Sequence, residues 1–279
     1  MGRWFAGILS KDGKEVVITG RNEEKLREAG RQLGVEATSR NEAAVSGADY
    51  VLLSVPVESL EAVVKELGPH LAPGQAVIDI SSVKVAPLAI MHRHLKTGPV
   101  LGAHPLFGPG ARGIANQNFV LTPTSEPEQE LAQRIKNYLE GKGARVTLMT
   151  PGEHDEVMSV ILGLSHFIAI VAGDALLGTG MLPQAAPVAG TTYRVLLTLV
   201  ASVLSEDPEL YASLQMNLPR AAEWEKRFQS QAGEWADLVA AKDRAGFARR
   251  MKALKESLQR DVPDFGQAYQ NMYRIVEGL

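Results

Sequence analysis

The chain has 279 residues, enough for one large or two ordinary domains, with 45% hydrophobic and 22% charged residues, the balance of a globular protein with a real core. Its net charge of -3 and pI near 6.1 exclude the basic footprint of a nucleic-acid binder. The absence of cysteine excludes a disulfide framework, thiol catalysis and a cysteine zinc site, and fits a reducing cytoplasm.

At the start of the chain, Phe5, Ile8 and Leu9 recur at helical spacing. Residues 15–19 (EVVIT) form a short apolar strand closed by Gly20. Residues 22–33 read as a helix capped by Asn22, with Glu23 and Glu24 in the favoured first turn. Residues 50–55 (YVLLSV) and 76–80 (AVIDI) are continuously apolar, which predicts strands buried on both faces, as in a parallel sheet. A helix over 59–71 separates them, and strands at 100–103 and 118–122 follow. A helix over 127–140, stopped by Gly141 and Gly143, leads to a last strand at 145–149. Alternating strands and helices predict βαβ units and a parallel sheet.

The pattern changes at Pro151. Helical periodicity runs through 152–177, 191–204, 220–242 and 244–260, with no convincing strand. The expected organisation is therefore a first domain over 1–150 and an all-helical second domain over 151–279. No signal peptide is visible, because residues 1–9 hold too short an apolar stretch. The apolar run 157–177 is interrupted by Ser165, His166, Gly173 and Asp174, which predicts a buried helix and no membrane span.

A dinucleotide-binding domain opens strand, G-x-G-x-x-G, helix, with a ribose-selecting residue about 20 residues further on. In that frame Gly2 is the third glycine, which lets helix and strand pack closely. Taken alone, Gly2 is better read as a plain residue after Met1; the βαβ series behind it favours the fingerprint. The expectation is α/β: a Rossmann-like parallel-sheet domain with its first strand missing, followed by an all-helical domain. Gly20 and Arg21 then fall where the ribose is selected. No acid stands at that point, and Arg21 can pair with a 2′-phosphate, so NADP is expected over NAD. The opposing reading has Glu23 or Glu24 reaching the ribose.

Three segments carry a more specific signal: Leu53-Ser54-Val55-Pro56, Asp79-Ile80-Ser81-Ser82-Val83-Lys84, and Gly102-Ala103-His104-Pro105-Leu106-Phe107-Gly108-Pro109. Glu153-His154-Asp155, Leu164-Ser165-His166-Phe167 and Tyr193-Arg194 follow in the helical half. In order and spacing they resemble the prephenate dehydrogenase family over essentially the whole chain. The resemblance implies oxidative decarboxylation of prephenate to 4-hydroxyphenylpyruvate, with hydride passing to NADP or NAD in tyrosine biosynthesis, and a homodimer formed through the helical domain. Such chemistry needs a base at the ring hydroxyl, a cation for a carboxylate and a nicotinamide held against the ring.

His104 follows an apolar strand at the edge where open α/β sheets bind ligands. Residue type and spacing leave a structural cap and a base equally open; the resemblance implies the base. Ser82 reads as an N-cap of the next helix, and the resemblance adds contact with the histidine or the substrate hydroxyl. Arg194 lies in an apolar stretch, which leaves a buried ion pair or a carboxylate-binding group; the resemblance implies the latter. His166 on an apolar helix is ordinarily a core histidine, and the resemblance places it near the substrate's side-chain end. Ser54, Val55 and Pro56 join Gly2, Gly20 and Arg21 as cofactor-binding candidates. His154 and Asp155 are weaker candidates, with Asp155 explained by capping its own helix. His92 and His94 read as a solvated face. No metal spacing is present, and hydride transfer needs no metal. Family members that carry an acid shortly after the H-P pair use it to gate the pocket. Here that stretch is Gly108-Pro109-Gly110-Ala111-Arg112, which puts such gating and tyrosine inhibition in doubt. Arogenate dehydrogenase is the nearest alternative. A hydroxyacid dehydrogenase would rely on a helical-domain lysine, against the H-P motif, and a non-catalytic nucleotide-binding protein is the alternative of another class.

Overall fold

Apolar residues three and four apart wind the start of the chain into α1 (Gly2–Lys11) in a computed structural model that describes residues 1–278. Then come β1 (Val17–Thr19), α2 (Glu23–Leu33), β2 (Glu36–Thr38), α3 (Asn41–Val45), β3 (Tyr50–Leu53) and α4 (Val57–Leu67). They are followed by β4 (Ala76–Asp79), α5 (Val85–His94), β5 (Val100–Pro105), β6 (Asn118–Thr122), α6 (Glu126–Glu140), β7 (Arg145–Leu148) and α7 (Pro151–Met158). Asn22 caps α2 by accepting from the Lys25 amide at 2.9 Å, and Gly34 ends it in the left-handed region at φ 65°. The sequence reading contained neither β2 nor α3, which are too short for periodicity to register.

These elements form one compact unit, Met1–Met158. Its strands make two sheets. β1 and β2 pair in parallel, with Thr19 opposite Thr38. The other five are ordered β3-β4-β5-β6-β7, parallel except at the antiparallel β5–β6 junction. β4 and β5 are buried throughout, as a strand with neighbours on both sides and helices on both faces must be. On one face Ile78, Leu101 and Ala103 pack against Leu131 and Leu139 of α6, with Trp4 and Phe5 of α1 joining them. On the other, Val77 and Val100 meet Leu60 and Val64 of α4 and Met91 of α5. The two-sided burial expected of 50–55 is corrected: β3 is an edge strand, Tyr50 is 43% exposed and only Leu53 is buried.

The second unit begins at Ser159, so α7 stays with the first. Residues 159–164 form a π-helical turn, whose Gly163 carbonyl accepts from the Gln215 side-chain amide at 2.9 Å. The remaining helices are α8 (Ser165–Gly178), α9 (Leu182–Ala185), α10 (Thr191–Leu204), α11 (Pro208–Asn217), α12 (Ala221–Ala240), α13 (Arg244–Asp261) and α14 (Ala268–Glu277), with no strand among the described residues. Gly173 lets α8 and α10 approach closely, since a Cβ there would lie 2.9 Å from Leu204 Cδ1. The continuous helical run Pro151–Gly178 spans 28 residues with a window of mean hydropathy 2.1, long and apolar enough by those measures to cross a bilayer. The expectation of a buried helix is corrected here: only 17% of that window is covered.

Candidate active site

The carboxyl ends of β4 and β5 hold a cluster of buried polar groups. Lys84 and Asp79 are both fully buried, and they form an ion pair. Lys84 Nζ also donates to the Ala103 carbonyl at 2.9 Å, so it ties the end of β4 to the end of β5. Its stem needs room beside β5, and Gly102 provides it: a Cβ there would sit 2.8 Å from Lys84 Cδ and 2.3 Å from Thr122 Oγ1. Ser81 completes the Asp79 environment, with its amide 3.0 Å from Oδ1 and its hydroxyl 2.8 Å from Oδ2. Burial pushes the Lys84 pKa down, while the charge and hydrogen bond of Asp79 oppose that shift.

His104 lies on β5, two residues beyond Gly102 and therefore on the same face of the strand. It is buried, and its Nδ1 is 2.8 Å from His154 Nε2 of α7. His154 Nδ1 lies in turn 2.7 Å from Asp155 Oδ1. Burial, then the Lys84 charge, then His154 hold the His104 pKa well below the ordinary histidine value. His104 Nε2 has no hydrogen-bond partner among the described residues.

Asp155 has a second task. Its carboxylate accepts from the amides of Lys84 at 2.7 Å and Val85 at 2.9 Å, so it caps α5. This overturns two sequence expectations. The cap of α5 comes from α7 and not from Ser82, and Asp155 serves a neighbouring helix instead of its own. Ser82 is half-buried at the end of the β4 turn and makes no hydrogen bond to His104. Lys84, Asp79 and His154 all stood inside the motifs that carried the resemblance. Lys84 and Asp79 were not among the site candidates, because a lysine or aspartate in sequence gives no sign of being buried, and His154 was only a weaker one.

The cofactor candidates occupy the ends of β1 and β3. Gly2 opens α1, and its amide donates to Ser54 Oγ at 2.9 Å. A Cβ on Gly2 would lie 3.1 Å from Ser54 Cβ, the close helix–strand approach that a fingerprint glycine permits. Val55 and Pro56 lead directly from β3 into α4. Gly20 and Arg21 are exposed just beyond β1. His92 and His94, read as a solvated face, are each tied to a carboxylate instead: His92 to buried Glu128 at 2.7 Å and His94 to Glu61 at 3.0 Å. No group of metal-ligating side chains occurs among the described residues.

In the second unit, Arg194 lies in the first turn of α10 and is exposed. Its guanidinium makes no ion pair among the described residues, so it is not half of a buried structural pair. His166 lies near the start of α8, which packs against α10. Its ring meets Tyr211 edge-on at 4.9 Å, and its buried Nδ1 has no hydrogen-bond partner. Burial lowers its pKa.

Residues 5–148 match the family model described as prephenate dehydrogenase, nucleotide-binding domain, and residues 150–253 match prephenate dehydrogenase, dimerization domain. The chain belongs to the prephenate dehydrogenase family. It is 34% identical over 255 residues to a probable arogenate/prephenate dehydrogenase of Methanocaldococcus jannaschii, covering 90% of this chain and 57% of that protein. A T-protein of Enterobacter agglomerans is 31% identical over 251 residues, covering 88% of this chain and 62% of its own length. The chain thus spans less than two thirds of either relative. The fold is that of the A. aeolicus prephenate dehydrogenase solved with hydroxyphenyl propionate and NAD+, at a TM-score of 0.74 and 21% identity over 93% of this chain and 94% of that one.

Proposed function

We propose that the chain is the dehydrogenase portion of an enzyme that converts prephenate to 4-hydroxyphenylpyruvate and carbon dioxide, with NADP as the preferred hydride acceptor. The observation that carries this reading is His104. It is a histidine kept neutral by its surroundings, with one ring nitrogen engaged by His154 and the other unengaged. A neutral imidazole with a bare nitrogen can accept the proton of a ring hydroxyl.

Arg194 supplies the cation for a substrate carboxylate, and its exposed, unpaired guanidinium supports that role. His166, with an unsatisfied Nδ1, offers a hydrogen-bonding group for the substrate's side-chain end. Ser82 is the reserve hydrogen-bonding group beside the substrate hydroxyl. A nicotinamide dinucleotide supplies the hydride acceptor. Gly2, Ser54, Val55 and Pro56 would hold its central part, and Gly20 and Arg21 its adenosine end, where Arg21 favours a 2′-phosphate. The close approach of Gly2 to Ser54, which a side chain would crowd, is the helix–strand packing that a dinucleotide-binding domain uses and supports this reading. The cysteine-free composition supports a reducing, cytoplasmic setting.

A homodimer is the proposed assembly. The matched description of residues 150–253 as a dimerization domain supports it, as do second-unit apolar side chains left open to solvent: Leu177 at 60%, Val188 at 80% and Met216 at 84%. Arogenate is the competing substrate, supported by the double name of the Methanocaldococcus jannaschii relative. Steady-state kinetics with prephenate and arogenate, each with NADP and NAD, test the reading. The expected result is the highest kcat/KM for prephenate with NADP. A higher value with arogenate would reassign the substrate, and a KM for NAD at or below that for NADP would reassign the cofactor.

A further inference from the structure

Asp155, His154 and His104 lie in a row whose hydrogen bonds, with both imidazoles neutral, admit one arrangement of protons. Asp155 is the fixed end. Its carboxylate receives the Lys84 and Val85 amides at the start of α5, and a carboxylate only accepts. His154 Nδ1, 2.7 Å from Asp155 Oδ1, therefore carries the hydrogen. A neutral imidazole has a single N–H, so His154 Nε2 is an acceptor. It faces His104 Nδ1 at 2.8 Å, which must then be the donor. That leaves the lone pair of His104 on Nε2. Around His104 the charged and titratable groups are Lys84 ahead of α5, Asp79 on β4, and His154 and Asp155 on α7; β6 opposite contributes Val120 and Thr122, which carry no charge.

We infer that His154 and Asp155 are positioning residues, which hold His104 as the Nδ1–H tautomer and so present Nε2 as the base. The inference rests on the reading of His104 as the proton acceptor. In the reaction the hydroxyl O–H bond breaks, its proton passes to His104 Nε2, and a C=O forms as hydride leaves the ring carbon. Loss of carbon dioxide returns an electron pair to that oxygen, which takes the proton back from His104. In between, the imidazolium keeps its Nδ1–H bond to His154 Nε2, and the Asp155 carboxylate at the end of the row stabilises the added charge. A tautomer fixed by a chain of buried hydrogen bonds needs no adjustment when substrate arrives.

Asp155→Asn tests this. With its amide N–H turned towards His154 Nδ1, the asparagine keeps the Val85 amide on its oxygen and gives up the Lys84 amide, which shares Oδ1 with His154. His154 must then carry its proton on Nε2, and His104 is driven to the opposite tautomer. The chain is labelled with 15N-histidine, and the ring-nitrogen chemical shifts of His104 are read alongside the kinetics. The expected result is a protonated Nδ1 and a bare Nε2 in the parent chain, and the reverse in the variant. The variant kcat should fall by about 100-fold or more with KM little changed, as for a wrong tautomer elsewhere. If Asp155→Asn fails to fold, His154→Gln leaves the α5 cap in place and should mix the two His104 tautomers with a smaller loss of kcat. A parent chain with the proton on His104 Nε2, or with both His154 nitrogens protonated, overturns the inference. So does a folded Asp155→Asn that keeps its kcat. His104→Asn separates this result from the reading beneath it. Full activity in that variant removes His104 as the base, whereas an inactive His104→Asn beside an unimpaired Asp155→Asn removes only the positioning role.

Discussion

The end of β5 and the start of α10 place their polar groups in opposite circumstances. At β5, His104, Lys84 and Asp79 are buried, and each is held by a named partner. At α10, Arg194 is exposed and unpaired, and on neighbouring α8 His166 keeps a buried ring nitrogen without a partner. The difference follows from what each group must do. A proton acceptor needs a fixed tautomer and a depressed pKa, which burial and a hydrogen-bonded chain supply. A group that grips a ligand needs unspent hydrogen-bonding capacity, which a finished internal network would consume.

The sharpest way to break this comparison is His104→Asn, which keeps a polar side chain but cannot take up a proton. It should lower kcat by about 10²–10⁴-fold with a much smaller change in KM. A folded variant above about a tenth of the parent kcat would shift attention to His166. Lys84→Met comes next, because it leaves Asp79 as an unpaired buried charge. Urea unfolding should show a loss of about 3–5 kcal/mol, partly recovered by adding Asp79→Asn. Unchanged stability would mean that the pair does not hold β4 to β5.

Arg194→Ala should instead spare stability and raise KM for prephenate about ten- to a hundred-fold, the worth of a charge-assisted hydrogen bond of about 1.5–3 kcal/mol. If it unfolds the chain, the contrast between the two regions is lost. Arg21→Ala should raise KM for NADP by about fivefold and leave NAD alone, since an exposed charge pair is worth little. The smallest effect concerns acid. His104 binds a proton less readily when folded than when unfolded, so the unfolded state takes up more protons below about pH 6.5. Stability is therefore intact above that pH and declines as pH falls towards the depressed folded value. His104→Asn should flatten this slope. The acidic limb of kcat/KM should also lie below the ordinary histidine range.

The two sheets show how much of the fold could be read from residues alone. AVIDI was legible as a doubly covered strand because Ala76, Val77, Ile78 and Asp79 are all buried between α4 and α5 on one side and α1 and α6 on the other. YVLLSV reads the same way, yet Tyr50 is exposed and Val51 and Leu52 are only half-buried because β3 pairs only with β4. Composition reports what a strand tolerates; the number of its neighbours is a matter of assembly. In the site, His104 and Arg194 were legible as candidates because their residue types suit the chemistry. His154 was less so, because its importance lies in an atom 2.8 Å away from a residue fifty positions earlier.

The sequence by itself determined the alternating first half, the helical second half, the strand-end histidine and the motifs of the family. These depend on periodicity and residue type, which are local. Tertiary structure alone decided that Asp155 caps α5, that Lys84 lies under Gly102, that β1 and β2 stand apart from the main sheet, and that Arg194 is left unpaired. Each of these depends on which distant groups share a small volume. A hydrogen bond or an ion pair acts over a few ångströms of space, whatever the separation along the chain.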